Sequence, residues 1–330
     1  MVIHSSSPMR TKKARVLGIP VIDLGLERPK LCELIVKACE EFGFFQVENH
    51  GISREVISRV EKEGLNFFSK PACDKQRARP RQPSPFGYGC KDIGFNGDKG
   101  ELEFILLEAN PHLVSQRAKS LSSDPKKFSR AVNDYVRAVS NLACDILEIA
   151  AEGLWVPEKS TFSHLIRNPT TTDSCFRINH YPSSDDVASN HNNKPRIGFG
   201  EHTDPQVLTI LWSNDVWGLQ ILSREGLWVP IPPDSERLCV FVGDSLEALT
   251  NGKFQSVRHR AVLSSCSVGN NKRMSMMYFA APSLDARVSP VEEMVSEEKP
   301  SVYREFTWGE YKRAVYSLRL ADNRLDMFRV

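Results

Sequence analysis

Two histidines and one aspartate put the strongest constraint on how this chain can fold. His202 and Asp204 are separated by Thr203 alone, whereas His259 lies far downstream. Two imidazoles and one carboxylate are the protein ligands of mononuclear non-haem Fe(II) sites, which keep further coordination positions open. Side chains alternate along a strand, so His202 and Asp204 can reach one metal while Thr203 points away. His259 must then arrive on another strand, for which 255–262 is a plausible segment.

A second pair of residues supports this interpretation over the alternative that each histidine is an ordinary core or surface residue. Arg273 and Ser275 lie in another strand-like run, 273–280. An arginine can bind a carboxylate through two parallel hydrogen bonds, and a residue two positions on shares its face of a strand. Alone, Arg273 would fit a structural salt bridge and Ser275 a plain strand hydroxyl. Together with the two histidines and the aspartate, they predict a small dicarboxylic co-substrate beside the metal.

With these motifs the chain resembles the plant 2-oxoglutarate- and Fe(II)-dependent dioxygenases over nearly its whole length. The resemblance implies that the His/Asp/His set holds Fe(II), and that the Arg-x-Ser pair binds the distal carboxylate of 2-oxoglutarate. It also implies that O2 takes the last open metal position and that ascorbate supports the reaction. The family's Asn-x-Tyr element matches Asn179 and Tyr181, which are expected to line the co-substrate site. Asn-His-Tyr-Pro could also be only a strand-ending turn.

Longer stretches narrow the resemblance to the gibberellin 2-beta-dioxygenases that act on C19 gibberellins. The matching stretches are 85–91, 93–98, 198–206, 250–260 and 306–312. The resemblance implies 2-beta-hydroxylation of the hormone, coupled to decarboxylation of 2-oxoglutarate to succinate and CO2, which inactivates the hormone. Asp92, Glu101 and Ser183 replace residues that are common in the family. None of the three is an iron or Arg-x-Ser position, so they leave the predicted reaction chemistry unchanged. They bear instead on which gibberellin is preferred.

A C19 gibberellin is a rigid apolar skeleton with one carboxylate, so its pocket should be mostly apolar with a cation or several donors. Elements that flank the barrel mouth in the family suggest Tyr88, Lys91 and Tyr311 as substrate-binding residues. Lys91 could equally be a solvated surface residue, and Tyr311 an anchor of the last helix. Three aromatic residues could form a dry wall around the site or simply pack in the core: Phe199, Tyr278 and Phe279.

Apolar patterning predicts a helical first half and a β-rich second half. Helices are expected at about 31–42, 53–68 and 125–153, where apolar residues recur with helical spacing. The stretch 77–100 is dense in Pro, Gly, Asn and Asp and is typical of a loop. Beyond Asp173, short apolar runs separated by turn residues indicate a sandwich or barrel. The resemblance makes this a double-stranded β-helix, or jelly roll, so the predicted fold class is mainly β with flanking α.

The chain of 330 residues is long enough for one such catalytic unit with extensions. We expect a flexible tail at 1–18 and an N-terminal α/β region at 19–165. The jelly-roll catalytic core should follow at 166–285, and a C-terminal extension at 286–330. Its helix, at about 306–314, could cover the barrel mouth.

Composition excludes several other classes of function. The net charge is +2 with acids and bases interspersed, so neither nucleic acid nor a membrane surface is expected as a partner. No apolar run approaches the ~20 residues that span a bilayer, and the basic start fits a short tail better than a transit peptide. Eight cysteines without a Cys-x-x-Cys pattern predict reduced thiols in a cytoplasmic protein. The oligomeric state, monomer or homo-oligomer, is left open.

Two other functions compete with gibberellin oxidation. One is a related dioxygenase that acts on a flavonoid or another small acid. The other is a non-catalytic protein that keeps the fold and binds a small ligand. The complete set of His202, Asp204, His259 and Arg273 argues against the second, because a pure binder has no use for open metal positions.

Overall fold

The computed structural model describes residues 18–80, 84–93, 97–182, 196–263 and 272–330. Three parts of the predictions lie outside the described residues: the predicted tail before Gly18, the family departure at Ser183, and one of the eight cysteines, Cys266. The predicted boundaries between the four segments of the chain remain predictions.

The described strands form three sheets. In chain order the strands are β1 (Val21–Asp23), β2 (Phe44–Glu48), β3 (Gly87–Asp92), β4 (Lys99–Glu108), β5 (Cys175–His180), β6 (Ile197–His202), β7 (Leu208–Ser213), β8 (Leu219–Leu222), β9 (Trp228–Pro230), β10 (Leu238–Val242), β11 (His259–Val262), β12 (Met274–Ala280), β13 (Arg287–Val288) and β14 (Phe306–Thr307). The largest sheet has the order β1-β2-β10-β7-β12-β5-β4-β3, a second has β6-β11-β8-β9, and β13 pairs with β14. Apart from the parallel pair β1 and β2, these neighbours are antiparallel.

Alternation along the strands builds two separate apolar layers. On β7, Ile210 and Trp212 belong to the core between the large sheet and the helices, whereas Leu211 belongs to a core shared with the second sheet. Phe241 of the large sheet and Leu219 of the second sheet meet in that shared core. The two sheets therefore pack face to face, which is the arrangement of a jelly roll. The residues predicted to bind the metal and the co-substrate lie in the space between them.

Helices cover the outer face of the large sheet and connect its strands. They are α1 (Arg28–Glu41), α2 (Arg54–Phe68), α3 (Ala72–Gln76), α4 (Pro111–Leu121), α5 (Pro125–Gly153), α6 (Asp244–Leu249) and α7 (Trp308–Ser317), with 3-10 turns at Ser163–Leu165, Glu292–Met294 and Arg324–Phe328. The longest, α5, begins at the cap residue Asp124, whose carboxylate accepts from Lys127 N at 3.0 Å. It buries Phe128 and Val132, each of which contributes about 1.5–3 kcal/mol through burial. No helix in the described part of the chain combines the length and apolar content that crossing a membrane requires.

One sequence prediction about the fold is wrong. The stretch 77–100, predicted as a loop, contains the strand β3 and the start of β4. At Gly89 the reason for glycine is close approach, because a Cβ there would lie 2.2 Å from Phe104 Cζ on the neighbouring strand. This glycine reflects packing against an aromatic ring, and a turn-based interpretation could not distinguish the two cases.

Candidate metal centre

Strand pairing brings the two histidines together. The last residue of β6, His202, lies directly opposite the first residue of β11, His259, and the ring centroids are 4.2 Å apart. Asp204 follows two residues after the end of β6. Its Oδ1 is 3.6 Å from His202 Nε2 and 3.8 Å from His259 Nε2. These distances are too long for hydrogen bonds, but ligand atoms that share one ion at ~2.1 Å lie about 3–4 Å apart.

Backbone carbonyls orient both imidazoles. His202 Nδ1 is 2.8 Å from Gly200 O, and His259 Nδ1 is 3.1 Å from Val257 O. A carbonyl only accepts, so each Nδ1 carries the proton and each Nε2 keeps a lone pair for a metal. Burial and the neighbouring His259 hold the pKa of His202 well below its usual value, which favours the neutral form that binds metal.

The aspartate supplies the clearest test of whether these residues fit a cation. Asp204 is 3% exposed, and its Oδ2 is buried without a hydrogen-bond partner. A buried carboxylate oxygen without a partner is costly. A carboxylate oxygen of Asp204 and one ring nitrogen from each histidine lie within 4.8 Å of one another. A buried carboxylate whose Oδ2 has no donor, and whose Oδ1 faces the Nε2 atoms of both histidines, fits a divalent metal ion.

On the other side of the 202–204 loop lies a set of buried polar residues that we call the anchor network: Thr203, Asp244, Tyr311 and Arg324. As predicted, Thr203 points away from the histidines, and its Oγ1 donates to Asp244 Oδ2 at 3.2 Å. The same oxygen accepts from Tyr311 OH at 2.7 Å, and Arg324 Nη2 lies 3.9 Å from it. Arg324 also donates to Thr203 O. Burial raises the pKa of Asp244, and Arg324 opposes that shift.

The anchor network also reaches the metal-site backbone directly. Asp244 N, at the start of α6, donates to Asp204 O at 2.7 Å. Sequence reasoning missed both charged residues of the network. Asp244 could have been flagged as an acid that lies two residues after the apolar run of β10, but no pattern links Arg324 to the site.

The residues predicted for 2-oxoglutarate meet on two adjacent strands. Ser275 of β12 lies opposite Asn179 of β5. Arg273 Nη1 donates to Ser275 Oγ at 3.4 Å, and its guanidinium lies 4.9 Å from the ring centre of Tyr181. Asn179 Nδ2 donates to Tyr181 OH at 3.0 Å. Arg273 is 5% exposed, yet its Nε has no hydrogen-bond partner, so part of this guanidinium is free for an anion.

Two glycines make room for these side chains. A Cβ on Gly218 would lie 2.8 Å from both Arg273 Cδ and Val262 O. A Cβ on Gly198 would lie 2.7 Å from Tyr181 Cδ1. Any larger residue at either position would displace the side chain or the backbone that it meets.

All seven residues predicted for the metal and for 2-oxoglutarate line one cavity. Much of the remaining wall is apolar and includes Leu211, Leu219, Phe199, Phe241 and Phe279. The geometry supports the predicted roles of the seven residues, and those roles remain predictions.

The three residues predicted to bind the substrate do not line this cavity. Tyr88 is 4% exposed and donates to Glu103 Oε2 at 3.0 Å. Lys91 is exposed on β3. Tyr311 belongs to the anchor network, which was the alternative considered for it. Tyr278 also lies elsewhere, because alternation points it to the helix side of β12, where its OH donates to Ser140 Oγ at 3.1 Å.

Two of the residues that depart from the family pattern, Asp92 and Glu101, form ion pairs outside this cavity. Asp92 pairs with Lys99, and Glu101 accepts from Arg196 Nε at 3.2 Å. Neither carboxylate lines the cavity that contains the two histidines.

Sequence reasoning missed one further cavity residue, Arg177. It is two positions before Asn179 on β5, and its Nε donates to Asn179 Oδ1 at 2.7 Å. Its guanidinium lies 3.8 Å from the ring centre of Phe104 and 5.1 Å from that of Phe199. Burial lowers the pKa of Arg177 to about 10. The alternation rule that paired Arg273 with Ser275 could have found it.

Two family models match separate parts of the chain. Residues 172–282 match the 2OG-Fe(II) oxygenase superfamily. Residues 19–103 match the model described as non-haem dioxygenase in morphine synthesis N-terminal.

Individual proteins match over most of the chain. Gibberellin 2-beta-dioxygenase 4 of Arabidopsis thaliana is 49% identical, covering 94% of both chains. Gibberellin 2-beta-dioxygenase of Phaseolus coccineus is 44% identical, covering 94% of this chain and 91% of its own. A crystal structure of JOX2 in complex with 2OG, Fe and JA superimposes with a TM-score of 0.80 at 24% identity, covering 94% and 89% of the two chains. A crystal structure of the dioxygenase for auxin oxidation in rice superimposes with a TM-score of 0.76 at 27% identity, covering 94% of this chain and 100% of its own. These likenesses confirm the predicted fold class.

Proposed function

Because the chain belongs to the family of the gibberellin 2-beta-dioxygenases, among the 2-oxoglutarate- and Fe(II)-dependent oxygenases, we propose that it hydroxylates C19 gibberellins at carbon 2. The reaction consumes O2 and 2-oxoglutarate and releases succinate and CO2, and the hydroxylated hormone is inactive. The observation that carries this proposal is the meeting of His202, Asp204, His259 and Arg273 in one largely apolar cavity.

The two histidines and Asp204 are the proposed metal ligands. Ferrous iron, when bound, supplies the redox chemistry that activates O2 at the expense of 2-oxoglutarate. The protein contributes two neutral imidazoles, fixed by backbone carbonyls, and one carboxylate whose charge partly balances that of the ion. Fixing the ligands in advance lowers the cost of arranging them when the ion binds.

Arg273, Ser275, Asn179 and Tyr181 are the proposed site for 2-oxoglutarate. The guanidinium binds the distal carboxylate as a planar fork, and the hydroxyl of Ser275 adds a further hydrogen bond. The pairing of β12 with β5 fixes the distance between these groups. The co-substrate is thereby held in one orientation toward the metal ligands.

The apolar wall holds the substrate and excludes water. Phe199 lies 4.6 Å from the His202 ring, measured between centroids, and Phe241 lies 4.5 Å from that of His259. Such a wall protects a reactive site from side reactions with water. It also fixes which C–H bond faces the metal, and a displacement of ~1 Å can cost roughly 100-fold in rate.

We place the reaction in the cytoplasm. The seven cysteines in the described part of the chain are free thiols, which suits a reducing compartment.

A direct assay tests the proposal. Purified protein with Fe(II), 2-oxoglutarate, ascorbate and O2 should convert a C19 gibberellin to its 2-beta-hydroxylated product, detected by mass spectrometry, with one succinate formed per turnover. The Asp204→Ala variant serves as the matched control without a complete ligand set. Hydroxylation of a flavonoid or another small acid, without any from a panel of C19 gibberellins, would favour the related dioxygenase. Absence of the visible absorption band that Fe(II) and 2-oxoglutarate give anaerobically would favour a non-catalytic binder.

A further inference from the structure

Arg177 is a buried cation without an anion. Its exposed fraction is 8%, and it forms no ion pair with any carboxylate of the described residues. Its Nε is occupied by Asn179, but its Nη2 is buried and has no hydrogen-bond partner. A buried charge that is neither paired nor fully hydrogen-bonded is unfavourable. A ligand that carries negative charge would pair with the guanidinium of Arg177 and satisfy its free Nη2.

Arg260 also lines the cavity, but it is only half-buried, so water screens its charge. The more deeply buried charges of the cavity require one more anion than the proposed reaction has used so far. Its most buried charged side chains are Arg177, Arg273 and Asp204, exposed by 8%, 5% and 3%. With ferrous ion, the two arginines bring four positive charges. Asp204 and the two carboxylates of 2-oxoglutarate bring three negative ones. A single carboxylate on the substrate would make the loaded site neutral.

The two arginines are placed to bind different carboxylates. Asn179 and Tyr181 lie between them, because Asn179 accepts from Arg177 and donates to Tyr181, whose ring in turn contacts Arg273. On its other side, Arg177 contacts the ring of Phe199, which also contacts the metal-ligand candidate His202. An anion on Arg177 therefore lies one aromatic ring away from the metal site.

The surroundings of Arg177 hold it in place before any ligand arrives. Phe104 contacts its guanidinium at 3.8 Å, and the absence of a side chain at Gly89 leaves room for the Phe104 ring. An arginine stacked on aromatic rings loses little freedom on binding a carboxylate and presents a planar fork. Such a fork fixes the orientation of the bound group as well as its position.

We propose that Arg177 binds the carboxylate of the substrate, and so sets which carbon of the skeleton faces the metal. This inference rests on the proposed function, because it takes a C19 gibberellin, with its single carboxylate, as the substrate. It assigns the carboxylate to a residue on β5, in place of Lys91 on the exposed end of β3.

The test compares a C19 gibberellin with its methyl ester, which keeps the skeleton and removes the charge. In the wild-type protein the ester should lose at least about 30-fold in kcat/KM, as expected when one partner of a buried charge pair is removed. Arg177→Met keeps an unbranched side chain between the rings of Phe104 and Phe199. In this variant the kcat/KM for the acid should fall to that for the ester. Arg177→Lys, which keeps the charge without the fork, should recover part of the preference for the acid. It should also form more products hydroxylated at other carbons.

A binding measurement separates this role from general damage to the site. Anaerobic titration of the Fe(II) protein with 2-oxoglutarate, followed through its visible absorption band, should give a Kd for Arg177→Met that rises only a few-fold, because Arg177 reaches the co-substrate site only through Asn179. The matched variant Arg273→Met should bind 2-oxoglutarate much more weakly. A loss of 2-oxoglutarate binding in both Arg177→Met and Arg177→Lys would place Arg177 in the co-substrate site and overturn the proposal.

Other results would also overturn it. Equal kcat/KM for acid and ester in the wild-type protein means that no residue recognises the carboxylate. Loss of the acid preference in Arg260→Met, with its retention in Arg177→Met, would assign the carboxylate to Arg260, which lines the same cavity and donates to Gln220 at 2.8 Å. If the wild-type protein hydroxylates no gibberellin at all, the proposed function fails. If it does, and Arg177 variants keep the wild-type ratio of acid to ester, only this inference fails.

Discussion

The short loop 202–204 separates two buried polar regions that are built in opposite ways. On the cavity side, four buried atoms lack hydrogen-bond partners, on Arg177, Asp204, Thr209 and Arg273. On the other side, in the anchor network, the carboxylate of Asp244 is contacted by a hydroxyl, a phenol and a guanidinium. A single atom of that network, Arg324 Nε, is without a partner.

The difference indicates which polar groups stabilise the fold and which await ligands. A buried group that is already satisfied contributes to stability and has little left to offer a ligand. A buried group without a partner lowers stability until a ligand arrives. Substitutions on the cavity side should therefore impair function and spare folding, whereas substitutions in the anchor network should do the reverse.

Asp204→Ala should have the largest effect. We expect turnover to fall by at least about 1000-fold, because a ligand set acts as a unit and fails when one member is removed. The Tm of the metal-free variant should not fall, since the substitution removes a carboxylate oxygen that has no partner. A turnover assay with Fe(II) and 2-oxoglutarate, and calorimetry of the metal-free protein, check the two halves of this prediction. Near-wild-type turnover would remove Asp204 from the metal site.

Asp244→Ala should give the opposite result on the far side of the loop. It leaves the guanidinium of Arg324 buried without its carboxylate, and breaking such a pair costs about 3–5 kcal/mol in free energy of unfolding. Urea denaturation of the metal-free protein measures this. If Asp204→Ala proved the more destabilising of the two, the contrast between the regions would be wrong.

How far the sequence predicts each region depends on how local its signals are. Alternation along an extended segment paired His202 with Asp204 and Arg273 with Ser275, although Asp204 and Arg273 lie just outside β6 and β12. The same rule would have added Arg177 had it been applied backward from Asn179. The anchor network has no such signal, because Arg324 contacts Thr203 across 121 positions of sequence.

The same limit explains the failures in the fold and in the substrate site. Gly89 was taken as a loop residue because its real reason, the ring of Phe104, lies on a neighbouring strand. Tyr88 and Tyr311 are polar aromatics in plausible segments, but their hydroxyls are used by Glu103 and Asp244. Such competition between partners is visible only in three dimensions.

Arg273→Lys sharpens the comparison within the cavity. We expect the KM for 2-oxoglutarate to rise about 10- to 100-fold, since a point charge replaces a fork in a charge-assisted hydrogen bond. The KM for the gibberellin should change much less, because Arg177 lies beyond Asn179 and Tyr181. Steady-state kinetics with each substrate varied in turn provide the measurement. An unchanged KM for 2-oxoglutarate would mean that Arg273 does not bind the co-substrate.

Tyr311→Phe separates an anchoring role from a substrate-binding one. The variant removes one hydrogen bond to Asp244 and should lower the free energy of unfolding by about 1–1.5 kcal/mol. Its KM for the gibberellin should stay at the wild-type value, because Tyr311 does not line the cavity. A marked rise in that KM with unchanged stability would restore the sequence-based prediction that Tyr311 binds substrate.

Gly218→Ala should have the smallest effect and tests how tightly the cavity side is held. Its new Cβ would lie 2.8 Å from Arg273 Cδ and from Val262 O, so the guanidinium must shift. We expect the KM for 2-oxoglutarate to rise up to about 5-fold, equivalent to the ~1 kcal/mol at the lower end of overpacking costs. Gly200→Ala is the matched control, because its Cβ would meet no atom within 4 Å. Equal effects of the two substitutions would mean that local packing around Arg273 does not set its position, and that the free guanidinium adjusts to its ligand instead.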